Sequence, residues 1–320
     1  MSLDKIRDII NKHKSFLILT HVNPDGDALG SQIALARILR RRGKKVFMFA
    51  EERPPHMYRF LPGIDKIKTN YRSFKKKTDV VIVLDCAKTS RVGKVQDLIS
   101  NQLVINIDHH PAKREETSVV LRNTYVAATS VLIYKLFRKM KVKIDKETAL
   151  LLYLGIVTDT GSFRYSNTSS QTYRIASDLV KLGARPNYVN KQLYEAESLK
   201  KLRLLGLCLE TLKLYDYGKI CTMKATNKMY ERTSSGPEYT EDFVNFPRKI
   251  KGVSVAIFFR ENKENNIIKV SFRSKEKINV DKIARIFDGG GHPQASGCKL
   301  EGNIEEVEKK ILKTVREFTK

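Results

Sequence analysis

Cysteine and long apolar runs are both scarce in this chain. Only four of its 320 residues are cysteine, and they are scattered at Cys86, Cys208, Cys221 and Cys298 without a CxxC pair. This spacing argues against a structural zinc site and against a disulfide framework. No apolar run reaches the length of a membrane span, and there is no internal repeat or long low-complexity tract. These absences leave a globular protein for which we expect no membrane partner.

The start of the chain does not have the pattern of a signal peptide, because no apolar stretch follows a basic one. We therefore expect a cytoplasmic protein. A length of 320 residues suits two domains better than one, and a hydrophobic content of 41% is sufficient for real cores.

Acidic residues are also in short supply. Lys and Arg number 60 against 35 Asp and Glu, which gives a formal net charge of +25. This excess favours a polyanionic substrate, either nucleic acid or a nucleotide. A lysine-rich proteome or a heat-adapted surface would give the same composition, so charge alone leaves these explanations open.

Strand and helix patterns alternate in the first half of the chain. Apolar, largely β-branched runs predict buried strands, and apolar residues at helical spacing predict helices. The alternation predicts an α/β fold with a mostly parallel sheet flanked by helices. The predicted strands are 16–20, 45–49, 79–85 and 103–107, and the predicted helices are 28–39, 127–140 and 147–157.

The pattern changes after Pro186. Residues 187–211 form one long, charged helical pattern, which we interpret as a linker helix. We expect residues 1–186 to form one domain, 187–211 the linker helix, and 212–320 a smaller α+β domain. In this last region strands are predicted at 212–215, 219–223, 253–259 and 267–272, and helices at 281–287 and 305–318.

Polar side chains that carry chemistry stand at the ends of predicted strands. Asp108, His109 and His110 directly follow the apolar run 103–107. In open α/β sheets, ligands bind and reactions occur at this edge. Two histidines beside a carboxylate suggest a metal site whose remaining ligands come from other segments.

Three further segments supply those ligands. His21, Asp25 and Asp27 crowd a Pro-Gly turn after the first strand. Asp27 could serve as the N-cap of the next helix, but a cap does not account for His21 and Asp25 as well. Asp85 ends a strand, where an unpaired buried carboxylate is costly, and Asp159 ends an apolar helix. As alternatives, Asp85 could cap a helix or turn, and Asp159 could merely end its helix.

Together these segments offer more ligands than one ion needs. Carboxylates mixed with imidazole, without thiolate, favour Mn²⁺, with Mg²⁺ or Co²⁺ as alternatives. Two ions about 3.5–4 Å apart that share a carboxylate are the standard arrangement for phosphoryl hydrolysis. We therefore interpret the chain as a binuclear metal phosphoesterase for a nucleotide-like anion. The candidate ligands are His21, Asp25, Asp27, Asp85, His109 and Asp159.

These segments, in this order, resemble the motifs of the DHH phosphoesterase superfamily, which is related to RecJ exonucleases. The matching segments are HVNPDGD at 21–27, the strand-end Asp85, DHH at 108–110 and TDTG at 158–161. The segment GGGHPQASG at 289–297 resembles the motif of the DHH-associated substrate-binding domain. The resemblance covers essentially the whole chain. Length and layout look most like the short bifunctional oligoribonuclease and pAp phosphatase (nanoRNase, NrnA-like) subgroup.

The resemblance implies a role for each residue. Asp85 would bridge two Mn²⁺ ions, and Asp108 would orient a histidine from behind them. His110 would contact the scissile phosphate or help to protonate the leaving oxygen, with a purely structural role as the alternative. The first ion would be held by His21, Asp25 and Asp85, and the second by Asp27, Asp85, His109 and Asp159.

Candidate substrate-binding residues lie near the C-terminus. Three consecutive glycines let backbone N–H groups approach an anion, although they also suit a flexible loop. Arg273 is a candidate for a terminal 5′ phosphate, with a solvated strand arginine as the alternative. Asp288 stands where the family often has a fourth glycine, and Pro293 replaces a residue that is basic in some relatives, which leaves the preferred nucleotide open. The candidates are Arg273, Gly289, Gly290, Gly291, His292 and Ser296, with Arg164 and Tyr165 as weaker ones.

The resemblance implies a Mn²⁺-dependent enzyme that hydrolyses short 5′-phosphorylated oligonucleotides (nanoRNA, pApA) to mononucleotides by two-metal activated hydroxide attack. Conversion of pAp to AMP would be a second activity. A cyclic di-AMP phosphodiesterase is the main alternative, followed by a RecJ-type single-strand exonuclease and a non-catalytic nucleotide sensor. An inorganic pyrophosphatase would share the N-terminal motifs but not the glycine–His motif. A homodimer is compatible with such an enzyme.

Overall fold

The computed structural model describes residues 2–112, 119–195, 197–240, 242–262, 266–275 and 278–319, with the backbone alone at His292. The chain divides into two compact units, Met1–Ala196 and Glu197–Lys320. Among the helices of the described ranges, none is both long enough and apolar enough to cross a membrane.

The first unit is built on a six-stranded parallel sheet flanked by helices, as the alternating pattern predicts. The α/β expectation is therefore confirmed. Its strands are β1 (Ser15–Thr20), β2 (Lys45–Phe49), β3 (Ile67–Lys68), β4 (Val80–Leu84), β5 (Leu103–Asp108) and β6 (Val119–Arg122). Its helices are α1 (Leu3–Lys12), α2 (Gly26–Arg41), α3 (Thr129–Lys139), α4 (Lys146–Asp159), α5 (Ser170–Lys181) and α6 (Pro186–Tyr194).

The strand order places the candidate site. The strands lie in the order β3-β2-β1-β4-β5-β6. β2 and β3 follow on one side of β1, and β4, β5 and β6 follow on its other side. In open parallel sheets, the point where the order reverses leaves a crevice at the carboxyl ends of the strands. β1, β4 and β5 end together at this edge, and His21, Asp85 and Asp108 stand at their ends.

Both faces of this sheet are covered, which explains why its strands are continuous apolar runs. Leu17 and Leu19 pack on one face with Val81 and Val83. Phe16 and neighbouring residues point to the other face, into the larger core that the helices cover.

A glycine contact holds α2 tightly against α4. A Cβ atom at Gly30 would overlap with the backbone oxygen of Leu151, so only glycine permits this approach. A Cβ atom at Gly26 would likewise run into the side chain of Thr158. The start of α2 therefore lies beside the end of α4, which brings the segment of Asp27 next to that of Asp159.

The second unit is the smaller α+β arrangement expected from the sequence. Its sheet has the order β11-β12-β10-β9-β8-β7, with β8 and β9 parallel and the other pairs antiparallel. Its strands are β7 (Lys213–Tyr215), β8 (Ile220–Ala225), β9 (Val255–Glu261), β10 (Ile267–Ser274), β11 (Gly290–His292) and β12 (Ala295–Glu301). Its helices are α7 (Leu199–Leu209), α8 (Asn227–Thr233), α9 (Asn245–Arg248), α10 (Val280–Arg285) and α11 (Ile304–Thr319).

The expectation of one linker helix over residues 187–211 is wrong. The chain forms two helices there, since α6 ends at Tyr194 and α7 begins at Leu199. The side chain of Ser198 accepts a hydrogen bond from the backbone N–H of Lys201 at 3.3 Å, which is the geometry of an N-cap. The charged helical periodicity continues across this break, so the pattern alone did not indicate a new start.

Gly30→Ala should destabilise the protein, because the added methyl group would push α2 away from the Leu151 carbonyl. We expect a loss of about 2 kcal/mol or more in the free energy of unfolding, measured by denaturant titration. Gly206→Ala in α7 is the matched control. A Cβ atom there meets nothing within 4 Å, so this change should stabilise the protein by about 0.5–1 kcal/mol. Equal effects at the two positions would contradict the close approach of α2 and α4.

Candidate metal centre

All six predicted metal ligands lie together at the carboxyl edge of the parallel sheet. Within each of three groups, one nitrogen or carboxylate oxygen per residue lies within 4.8 Å of the others. Asp85 and His109 each occur in two groups, so the groups overlap. They are His21, Asp25 and Asp85; Asp27, His109 and Asp159; and Asp85, His109 and His110.

The ring of His21 is oriented by the backbone. Its Nδ1 lies 2.9 Å from the carbonyl oxygen of Val22, which can only accept, so Nδ1 carries the hydrogen. Nε2 lies 3.5 Å from Oδ2 of Asp85 and has a lone pair for a metal ion when the ring is neutral. In histidines that ligate a metal through one ring nitrogen, the other nitrogen typically donates a hydrogen bond, as Nδ1 of His21 does to Val22.

Asp25, rather than Asp27, is the N-cap of α2. Its Oδ1 accepts the backbone N–H groups of Asp27 and Ala28, both at 3.0 Å. The alternative that Asp27 caps its own helix is therefore wrong. Asp25 fixes the tight turn and keeps a carboxylate oxygen within the group of His21 and Asp85.

Asp27 is fully buried and caps a different helix. Its Oδ2 accepts the N–H of Thr129 at 2.6 Å, and its Oδ1 accepts the N–H of Ser130 at 2.9 Å. These are the first residues of α3, whose own N-cap position, Ala128, offers no side-chain hydrogen bond. Because a carboxylate has about four lone-pair sites, Oδ2 can still bind a cation.

Asp85 and His109 provide a direct test of whether a cation fits. Asp85 is 1% exposed, and its Oδ1 accepts the hydroxyl of Thr129 at 2.9 Å. Within the described residues, Oδ2 of Asp85 and Nε2 of His109 make no hydrogen bond. Nε2 lies 2.9 Å from Oδ2 of Asp159 and 3.5 Å from Oδ1 of Asp85, in contact but not in hydrogen-bond alignment. Buried polar atoms without partners are costly, and a metal ion would satisfy both.

Asp85 also has a left-handed backbone, with φ of 59°. Asp tolerates this conformation better than most residues, because its short polar side chain can bond locally. Local strain of this kind is found mainly where the surroundings enforce it, often at functional sites. Here it turns the side chain at the end of β4 into the cluster of histidines.

The buried charges shift one another's pKa values in opposite directions. Burial tends to raise the pKa of Asp85, but the contacts with His21, His109 and His110 outweigh it and bring that pKa down to about 2. Burial and the charge of Asp85 raise the pKa of Asp27 to about 7. Burial also raises the pKa of Asp159 well above its usual value, although His109 opposes this effect.

His109 is the most strongly shifted of the histidines. Burial alone would lower its pKa, but the contact with Asp159 and the charges of Asp27 and Asp85 raise it to about 10. In the metal-free protein, protons on the histidines therefore partly compensate the buried carboxylates. A metal ion would replace such protons, because only the neutral imidazole is a ligand.

Asp108 orients His110. Its Oδ1 accepts the backbone N–H of His110 at 3.1 Å and lies 2.9 Å from the ring nitrogen Nδ1. Its Oδ2 accepts Nε–H of Arg122 at 3.2 Å, and Arg122 also donates to the Ala87 carbonyl. Asp108 is fully buried, whereas 31% of the His110 side chain is exposed. Asp108 therefore fixes the orientation of the His110 ring.

Three residues at the site were missed by the sequence reasoning. Arg122 holds Asp108, while Thr129 and Ser130 bind the carboxylates of Asp27 and Asp85. The signal for Arg122 was present, since it ends the apolar run of β6 just as Asp85 ends that of β4. Nothing local distinguishes Thr129 and Ser130 from other polar residues in the first turn of a helix.

Family models match both units of the chain. The model described as "DHH family, N-terminal domain" matches residues 15–156, and that described as "DHHA1 domain" matches residues 233–320. The chain is 32% identical to the bifunctional oligoribonuclease and PAP phosphatase NrnA of Thermus thermophilus, over 94% of this chain and 89% of that protein. The chain belongs to the DHH family. The protein of the same name from Bacillus subtilis is 31% identical, over 94% of this chain and 93% of that one.

A solved structure of a DHH-type relative agrees with this assignment. The chain is similar to the crystal structure of an exopolyphosphatase-related protein from Bacteroides fragilis, with 29% identity and a TM-score of 0.92. The similarity covers 99% of this chain and 96% of that one. Both units of the DHH-family chain are therefore represented in a known structure.

In the DHHA1 domain, the glycine run serves strand packing. The N–H of Gly289 donates to the carbonyl of Ala284 at 2.9 Å, and that of Gly291 donates to Oδ1 of Asp281 at 2.8 Å. Side chains at Gly289 and Gly291 would overlap with β12. The expectation that these two amides are free for an anion is wrong. The assignment of Gly289, Gly290 and Gly291 to substrate binding stays a prediction.

Ser296 and Arg273 differ in how far their side chains are already engaged within the protein. Ser296 is 6% exposed, and its hydroxyl donates to the carbonyl of Val280 at 2.6 Å, so that hydrogen is already engaged. Arg273 lies half-buried on β10, where burial and the positive charges of Arg248 and Arg260 lower its pKa. The negative charge of Asp242 opposes this shift. The roles of Ser296 and Arg273 toward substrate stay predictions.

Asp288 stands at a left-handed position, with φ of 54°. This backbone favours glycine, and Asp is among the residues that tolerate it. Its exposed side chain follows α10, directly before the glycine run. The side chain of His292 lies outside the described part of the structure.

Metal uptake should release protons, because His109 has a pKa of about 10 without metal and must be neutral to bind an ion. At pH 8 we expect Mn²⁺ binding to release about one proton or more per chain, and the apparent affinity to rise between pH 7 and pH 8. Calorimetry in two buffers with different ionisation enthalpies measures the release. His109→Ala should release fewer protons, whereas His56→Ala, at an exposed position, should behave as the wild type. Equal release by the wild type and His109→Ala would contradict the assignment.

Proposed function

We propose that this chain hydrolyses short 5′-phosphorylated oligonucleotides to mononucleotides and removes the 3′ phosphate from pAp. The proposal is carried by the three overlapping carboxylate–imidazole groups, in a chain that covers about nine tenths of the length of its NrnA relatives. Those relatives are named for these two activities. The net charge of +25 is suited to polyanionic substrates of this kind. The proposal places the protein in the cytoplasm, where such nucleotides occur.

We propose two Mn²⁺ ions as the cofactors. Imidazole and carboxylate ligands without thiolate suit this ion. Asp85 lies closest to both groups and is the proposed bridge. When bound, the ions would act as Lewis acids that activate water and neutralise the phosphate charge. The first ion is assigned to His21, Asp25 and Asp85, and the second to Asp27, Asp85, His109 and Asp159.

The side chains around the ions have separate tasks. Asp108 engages Nδ1 of His110 and, held by Arg122, fixes the plane of that ring. Nε2 of His110 is then the atom that contacts the phosphate or gives a proton to the leaving oxygen. Asp27 keeps α3 in place, so that Thr129 can donate its hydroxyl to Asp85.

His109→Ala and Asp27→Ala should each lower Mn²⁺-dependent turnover of pApA by a factor of about 100 or more, because each removes a proposed ligand of the second metal ion. Asp27→Ala should also cost about 1 kcal/mol of stability, since it leaves the first N–H groups of α3 without an acceptor. Turnover, bound metal and unfolding free energy are the measurements. His56→Ala is the control and should match the wild type. Normal turnover by either ligand variant would overturn the two-metal assignment.

A comparison of substrates tests the activity itself. With Mn²⁺ we expect turnover of both pApA and pAp, with kcat/KM for pApA roughly tenfold or more above that for cyclic di-AMP. Removal of metal with a chelator should abolish turnover, and added Mn²⁺ should restore it. No observation in the chain favours the cyclic dinucleotide. A strong preference for long single strands, or for cyclic di-AMP, would show that the proposed substrate class is wrong.

A further inference from the structure

The loop after Asp159 carries two exposed side chains that neither the metal ligands nor the proposed chemistry uses. They are Arg164 and Tyr165, and the tyrosine is 51% exposed although it is aromatic. The loop begins directly after Asp159, a candidate metal ligand at the end of α4.

The backbone of this loop is strained. Gly161, Ser162 and Phe163 are all left-handed, with φ of 53°, 61° and 63°. This conformation is unfavourable for side chains other than glycine and persists only where the surroundings enforce it. Ser162 and Phe163 are held in this conformation by the contacts of the loop, whereas Gly161 adopts it without steric cost.

Hydrogen bonds hold the strained turn to the end of α4. The N–H groups of Arg164 and Tyr165 both donate to the carbonyl of Thr160 at 3.0 Å. Asn167 donates from its side chain to the carbonyl of Asp159 at 3.0 Å. The position of Tyr165 is therefore fixed relative to the backbone of the candidate metal ligand.

Phe163 anchors the same turn from the inside. Its ring stacks on that of Tyr173, with centroids 5.3 Å apart and planes 18° apart, and it also contacts the main core. One aromatic residue of the loop thus points inward and the next one, two positions later, stays outside.

One face of the Tyr165 ring lies against the backbone of Gly161. A Cβ atom at Gly161 would fall within 2.7 Å of Cζ, Cε1 and Cε2 of Tyr165, with Cζ nearest and the two Cε atoms almost equidistant. The phenol oxygen is not among these closest atoms, so Gly161 meets the face of the ring and not its edge. The exposed half of Tyr165 is consequently its opposite face. Arg164 is held beside it, with Nε donating to the carbonyl of Gly161 at 2.6 Å.

A fixed aromatic face beside an exposed guanidinium suits one chemical class of ligand. Nucleobases stack on aromatic side chains regardless of sequence, and the neighbouring positive charge favours the phosphate of the same nucleotide. We propose that Tyr165 stacks on a nucleobase next to the scissile phosphate, and so selects nucleotides over phosphoesters that lack a base. This inference rests on the proposed function, because it assigns part of the substrate site for that reaction.

The test compares intact and abasic substrates. Tyr165→Leu should raise the KM for pApA about tenfold and change kcat by less than about twofold, whereas Tyr165→Phe should keep the wild-type KM. With pApA analogues that lack the first or the second base, the analogue without the stacked base should show the same KM for the wild type and for Tyr165→Leu. Tyr217→Leu, at a fully exposed tyrosine of the other unit, is the control and should change nothing.

A binding measurement separates this inference from the proposed function. A pApA analogue with 2-aminopurine in place of adenine loses fluorescence when its base stacks. We expect full-length wild-type protein to quench it, and Tyr165→Leu to quench it much less with an unchanged circular dichroism spectrum. Quenching that depends on Tyr165 without any hydrolysis would sink the proposed function and leave the stacking role standing. Unchanged quenching and KM in Tyr165→Leu, or an equal loss on intact and both abasic substrates, would overturn the stacking role.

Discussion

The buried carboxylate of Asp27 is the contact on which the geometry of the metal centre depends. It lies in the first turn of α2, yet it accepts the first N–H groups of α3 at Thr129 and Ser130. Because Gly155 has no side chain, α4 can lie against the same carboxylate and against Ser130. One charged group therefore fixes three helices at the carboxyl edge of the sheet. In this arrangement Asp159, at the end of α4, lies 2.9 Å from Nε2 of His109.

Around that contact, the site concentrates more negative charge than protein groups alone compensate. Asp85 stays ionised because it lies among three histidines, whereas burial pushes the pKa values of Asp27 and Asp159 upward. The same carboxylates raise the pKa of His109 to about 10. Metal ions at this site would balance the excess negative charge, since they would replace the protons and bind the buried atoms that make no hydrogen bond. Metal binding, local order and protonation are thus linked in one cluster.

Much of the fold was accessible from local patterns. The bounds of the strand Lys45–Phe49 were predicted to the residue. A short apolar run between basic residues and a turn has few interpretations other than a buried strand. Helix α1, helix α5 and strand β6 were not predicted. The break between α6 and α7 was missed because helical periodicity runs through it, and only the cap at Ser198 marks the new start. The glycine run was predicted as an anion cradle, but two of its amides bond within the domain.

The sequence by itself determined which residues stand at the ends of which strands, and parallel strands bring those ends to one edge. That was sufficient to select all six candidate ligands that the structure places together. Only the tertiary structure decided that Asp25 caps α2 while Asp27 caps α3, and that Arg122 fixes Asp108 and, through it, His110. The physical reason is that the contacts of Asp27 with α3 and of Arg122 with Asp108 join different segments of the chain. They depend on how closely the helices pack, as at Gly30 and Gly155. The distance between two helices cannot be predicted from a local pattern of residues.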